Sequence, residues 1–228
     1  GLTEEEKICT NADILPFFSP KLGEIENYPW STGLDGLNEI LSYSERYGLP
    51  TTLYIVPRDM IAFEILDKEI IERISSLVEK DLVEIGSHSY YHRYLGKNLA
   101  KDKEEMINSK EYLENKFKTQ VEGMRGPYLS KIENSYSKQA KILKEVGYSY
   151  FSHEGEFKNF NEVYSLGTNI YLVSDKNLVQ FKDNIRLKDY VLSLDHPWNI
   201  GYKKINKNGE IYLKSDSESI DHFRKAVL

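Results

Sequence analysis

The chain has 228 residues, 40% of them hydrophobic, which is enough to bury one full core. A formal charge of -6 and a pI near 5.5 argue against a phosphate-backbone partner, because nucleic-acid binders carry a basic face. The single cysteine, Cys9, excludes an intrachain disulfide, and no apolar run approaches the ~20 residues of a membrane span.

These features predict one domain over 1–228, no nucleic-acid partner, no membrane span and a cytoplasmic location. The chain starts at Gly1 rather than Met, which is compatible with an upstream segment removed by processing. Tyrosine is abundant, 17 residues against 9 Phe and 2 Trp. Its flat ring with a polar tip suits sugar-lined clefts and half-wet core edges equally.

After an acidic start, Ile8-Cys9-Thr10-Asn11-Ala12-Asp13 reads as a short strand with Asp13 at its tip. An aromatic and proline-rich loop follows, from Phe17 to Trp30, long enough to wall a groove. Leu34, Leu37, Ile40, Leu41 and Tyr47 recur at helical spacing before Gly48, which stands at a helix-stop position. The β-branched run Thr51 to Val56, between Pro50 and Pro57, predicts a buried strand. Ile70, Ile71, Ile74, Leu77 and Val78 mark an amphipathic helix.

The next strand, around Leu82 to Ile85, leads into Gly86-Ser87-His88-Ser89-Tyr90-Tyr91-His92. If the chain after His88 makes one helical turn, positions i and i+4 share a face and both imidazoles reach one divalent ion. A bare pair of this kind is more often two polar loop residues, so the decision falls to the rest of the chain. The charged stretch from Asn98 to Phe117 carries Met106, Leu113 and Phe117 at helical spacing and reads as a surface helix.

A strand around Val121 to Met124 then delivers Arg125-Gly126-Pro127-Tyr128. A helix from Ser135 to Val146 stops at Gly147, and a strand from Tyr148 to Phe151 follows. Residues 162–174 are strand-like, and 177–185 pattern weakly as a helix. Asp189 to Leu194 reads as a strand ending in Asp195-His196-Pro197. Over 198–228, Asn208-Gly209 signals a hairpin and Ser215 to Val227 a final helix. His153 and His222 read as surface histidines.

Strands alternating with helices imply an α/β fold with a parallel sheet, closed or nearly closed into a barrel. In such barrels chemistry gathers at the carboxyl ends of the strands. Asp13, His88, Arg125 and His196 each fall at or just after the end of a predicted strand, so one architecture carries all four to the same rim.

The ordered motifs His88-Ser89-Tyr90-Tyr91-His92, Arg125-Gly126-Pro127-Tyr128 and Leu194-Asp195-His196-Pro197 resemble the H-[ST]-x-x-H, R-x-P-[FY] and late Leu/His motifs of the polysaccharide deacetylase family (NodB homology domain, carbohydrate esterase family 4). The run from Gly48 to Val56 is similar to that family's G-x-P-A-T-F-F-V strand. Together the motifs lie within 10–197.

The resemblance implies a distorted (β/α)7-type barrel acting on N-acetylated carbohydrate. It implies a divalent ion, zinc by expectation, held by Asp13, His88 and His92, with Ser89 supporting the loop. It further implies that Arg125 orients the base, that backbone around Tyr128 helps hold the oxyanion, and that His196 acts as general acid.

One position departs from the pattern. The family's T-F-D-D aligns with Thr10-Asn11-Ala12-Asp13, so the base aspartate is replaced by Ala12, whose methyl group accepts no proton. The chain as written is therefore expected to be inactive or severely slowed. Two explanations fit: an Asp-to-Ala change that removes the base to trap a ligand, and a natural pseudoenzyme that keeps the metal and binds glycan. A third reading keeps the barrel and makes it a metalloamidase for small non-sugar amides. The family's D-x-x-D-W element has no match here, its place being taken by Ser152-His153-Glu154-Gly155-Glu156-Phe157.

Overall fold

A computed structural model describes residues 30–48, 50–154, 158–160, 162–168, 202–207 and 210–215. The first described helix, α1 (Trp30–Tyr47), buries Leu37, Leu41 and Ser44. It ends where Gly48 turns left-handed at φ 65°, its amide bonded to the Ser44 carbonyl at 3.0 Å. That is the stop the sequence predicts. Strand β1 (Thr51–Ile55) follows, then α2 (Pro57–Leu66), α3 (Ile70–Glu79) and β2 (Val83–Ser87).

The long helix α4 (Leu99–Phe117) is capped by the Asn98 side chain, which accepts from the Lys101 amide. Strand β3 (Gly123–Arg125) leads through a short 3-10 turn (Pro127–Leu129) to α5 (Tyr136–Val146) and β4 (Tyr150–Glu154). Strands β5 (Lys158–Phe160) and β6 (Val163–Thr168) follow.

The six strands form one sheet in the order β1-β2-β3-β4-β6-β5. All neighbours are parallel except β5, which runs antiparallel to β6. The α/β class and parallel sheet expected from the strand-helix alternation are therefore what forms. A separate antiparallel pair, β7 (Tyr202–Lys207) with β8 (Glu210–Ser215), pairs Lys207 with Glu210, as the Asn208-Gly209 hairpin signal anticipates. Ser215, where the last expected helix begins, closes β8 instead, and the strand expected at 189–194, the helix expected at 177–185 and residues 216–227 of the last one lie outside the described residues.

Because side chains alternate along a strand, one face of the sheet packs on helices and the other looks inward. The helix-side face carries Ile55, Val83, Ile85, Met124 and Phe151, which join Leu41, Ile74, Leu77, Met106, Leu113 and Leu143 in a continuous core. The inward face is polar and aromatic: the register sets Tyr54 beside Gly86, Gly123 beside Tyr150, and Arg125 beside Ser152.

Two expectations need correction, and one element has no counterpart in the sequence pattern. Residues 57–66, left without an assignment by periodicity, form α2, with Pro57 in its first turn. The helix at 99–117 is not simply a surface element, since Met106, Leu113 and Phe117 share a buried stripe with Asp102, Glu105 and Ser109. His153, read as a surface histidine, is fully buried; its Nε2 is hydrogen-bonded to Ser165 Oγ, and its ring packs against Phe151 and Tyr136. His222 lies outside the described residues.

Candidate active site

Strand β2 ends at Ser87, and His88 continues its ladder by one bond, its amide donating to the Ile55 carbonyl at the end of β1 (2.9 Å). The expected helical turn does not form after it. The stretch from His88 to Asn98 is a loop, with Ser89 and His92 in the left-handed region at φ 60° and 57°. The loop nevertheless achieves what a turn was expected to achieve: the rings of His88 and His92 stand edge to face, their centroids 4.8 Å apart.

His88 Nδ1 lies 2.8 Å from the Arg125 carbonyl oxygen, to which it donates. That bond fixes the neutral tautomer and makes Nε2 the lone-pair nitrogen, the arrangement that metal-ligating histidines use. Two imidazoles at the mouth of a parallel sheet, one with its tautomer set by a main-chain acceptor, are a donor pair that fits zinc. The third ligand implied by the resemblance, Asp13, lies outside the described residues, as do Ala12, Asp195 and His196. Among the described residues, no group of three or more His, Cys, Asp or Glu side chains is placed to hold an ion.

Arg125, on β3, is buried, and its guanidinium has a fixed station. Nε and Nη2 donate to Ser152 Oγ at 3.1 and 2.6 Å, and the plane sits 4.3 Å from the centroid of the Tyr54 ring. Ser152 heads the segment that stands where the family carries its D-x-x-D-W element, so β4 supplies a hydroxyl acceptor for this arginine. Burial pushes the Tyr54 and Tyr150 hydroxyls above their ordinary range, which keeps both protonated. Tyr150 donates to Glu84 Oε1 (2.8 Å) and Thr52 to Glu84 Oε2 (2.7 Å), so the inward face is a connected polar floor.

Tyr128 lies in the turn after Arg125 with φ 57°, half exposed, its ring edge-on to His92 at 4.9 Å. Gly126 makes that turn possible: a Cβ there would stand 2.0 Å from the Ser130 carbonyl oxygen. The turn is tied to the histidine loop, because Ser130 Oγ accepts from the Leu95 amide at 3.0 Å. Thus His88, His92, Arg125 and Tyr128 lie together, whereas Asp13 and His196, which the rim argument groups with His88 and Arg125, lie outside the described residues.

Sequence reasoning missed the residues that anchor the loop. Ser89, implied as its support, is fully buried, and its hydroxyl has no hydrogen-bond partner among the described residues. The anchoring comes instead from α4. Glu105 Oε2 accepts from the amides of Tyr90 and Tyr91, and Asp102 Oδ2 accepts from the Gly96 amide. The signal was available as an acidic pair three residues apart on the Met106 face, but carboxylates on a helix this charged read as solvated.

The described residues thus give a parallel α/β sheet with a two-histidine loop and a hydrogen-bonded arginine at one end. A family model for polysaccharide deacetylases matches residues 31–151, more than half of the chain, and the protein belongs to that family. A search of curated proteins finds no match.

Among solved structures, a Mycobacterium smegmatis protein classed with the polysaccharide deacetylases superposes with a TM-score of 0.55 at 18% identity, covering 73% of this chain and 65% of its own. A mutant of a CE4 family pseudoenzyme of Bacillus anthracis gives 0.50 at 15% identity, with coverages of 86% and 57%. The 4-alpha-glucanotransferase of Thermococcus litoralis gives 0.61 at 10% identity, covering 88% of this chain and 34% of its own. At these identities the likeness concerns the fold, which is the distorted (β/α)7 barrel expected from the motifs. The chain spans less than two thirds of each of these proteins.

Proposed function

We propose that this chain is a metal-dependent N-deacetylase of an N-acetylated amino sugar, borne on a polysaccharide, oligosaccharide or carrier, whose catalytic base is missing because position 12 is alanine. The observation that carries the proposal is the pairing of His88 and His92 over the Arg125 main chain, with the His88 tautomer set for ligation. In this reading His88, His92 and Asp13 hold a divalent ion, zinc by the chemistry of the donors. When bound, that ion supplies Lewis-acid polarisation of the acyl oxygen and acidifies its water.

The remaining roles belong to the chain's own residues. Arg125, immobilised by Ser152 and Tyr54, is the cation that would orient a carboxylate at position 12. The main chain of Tyr128 helps hold the developing oxyanion, and its half-exposed ring offers a face for a sugar. Once water has added to the acyl carbon, His196 would protonate the departing amine, so that the C–N bond breaks to a free amine and acetate carries the water oxygen.

The alanine itself favours a second reading: the same site binds glycan without turning it over. Restoring the base separates the two. The Ala12→Asp protein, loaded with zinc and given N-acetylated oligosaccharide, is expected to release acetate ~10²- to 10⁴-fold faster than the parent, the range that general bases contribute. No gain on any such substrate overturns the deacetylase reading in favour of binding. Turnover of small amides without turnover of sugars identifies a metalloamidase.

A further inference from the structure

We infer that Glu105 is the positioning residue of the histidine loop, holding His88 and His92 in register from the opposite side of the main chain. The inference rests on the reading that these histidines bind metal, and it adds to that reading a residue outside the ligand motif. Glu105 is only 6% exposed on the inner stripe of α4. A carboxylate that far from water is costly unless it is hydrogen-bonded. Its Oε2 accepts from the amides of Tyr90 (3.0 Å) and Tyr91 (2.9 Å), two of the three residues between the histidines. Its Oε1 faces Arg93 at 3.5 Å, whose guanidinium also stacks 4.9 Å from the Tyr91 ring.

The two amides are bracketed by the left-handed residues Ser89 and His92. Non-glycine residues populate that conformation only where surrounding contacts over-determine it, and a buried anion that gathers consecutive amides is such a contact. The rest of the loop is fastened at separate points, by Asp102 at Gly96 and by Ser130 at Leu95. Glu105 is the carboxylate that takes up main-chain amides within the span that sets the distance between the two imidazoles. Outer partners of this kind typically change metal affinity by 10- to 100-fold when removed.

Two readouts test the inference, one of which needs no metal. In the metal-free parent, the Tyr90 and Tyr91 amides are expected to be protected from hydrogen exchange. In Glu105→Ala that protection falls at least ~10-fold while the α4 amides keep theirs, and zinc affinity by chelator competition falls ~10- to 100-fold. Glu105→Gln, which keeps an acceptor oxygen, is expected to retain most of the protection; it and the parent decide the matter should the alanine variant fail to fold.

Parent amides that exchange as freely as those of an open loop overturn the inference. So does a folded Glu105→Ala protein that exchanges and binds zinc like the parent. If the parent binds no zinc yet the two amides depend on Glu105, the positioning role stands and the metal reading falls.

Discussion

At the scale of single residues, the turn after Arg125 leaves no room for a methyl group. A Cβ on Gly126 meets the carbonyl oxygen of Ser130, main chain that cannot rotate away. Gly126→Ala is therefore expected to lower stability by ~1–3 kcal/mol, the usual cost of overpacking, and to loosen the Ser130 tie to Leu95. Thermal denaturation checks this, and an unchanged Tm refutes it. His88, His92, Arg125 and Tyr128 were legible beforehand because each sits in a motif whose chemistry demands that residue type. Glu105 and Asp102 were not legible, because their role is to accept main-chain amides. Their one mark is a place on the Met106 face, and on a helix as charged as α4 that mark is easily taken for solvation.

At the scale of elements, α4 is the scaffold on which the loop hangs, and its two faces differ sharply. Leu113 is fully buried, whereas Ile107 is 41% exposed. Leu113→Ala is expected to cost ~2–5 kcal/mol in urea unfolding, the range for emptied core leucines. Ile107→Ala is expected to stay within ~0.5 kcal/mol of the parent; equal effects would contradict the buried stripe. Most elements were readable from periodicity, β1, α3, β2 and α5 among them. Helix α2 escaped because Pro57 looked like the end of a strand rather than the first turn of a helix. The loop after His88 escaped because the spacing of two histidines constrains where their rings meet and says nothing of the backbone between them.

At the scale of the whole molecule, pH acts through a carboxyl group on α2. Asp59 Oδ1 is shut away from water and has no hydrogen-bond partner among the described residues. Desolvation pushes this group up to about 7 from 3.8, despite the opposing pull of the Arg58 cation. A carboxyl whose folded pKa lies above its unfolded one binds its proton more tightly in the fold. Its contribution is complete below pH 3.8 and is lost as the pH rises through about 7. Asp59→Asn is accordingly expected to gain ~1–3 kcal/mol on the parent at pH 8 and to flatten the fall in stability between these values. Denaturant midpoints across that range measure it, and parallel pH profiles for the two proteins would refute it.

The tyrosines of the inward face carry a last implication. A Cβ on Gly86 would enter the Tyr54 ring at 2.6 Å, and one on Gly123 would enter the Tyr150 ring at 1.8 Å. Each ring thus occupies the volume that its neighbouring strand has given up, and the lumen belongs to pairs of positions rather than to single ones. Whoever sets out to hollow or refill this barrel must exchange both partners at once, bulk for bulk across the ladder.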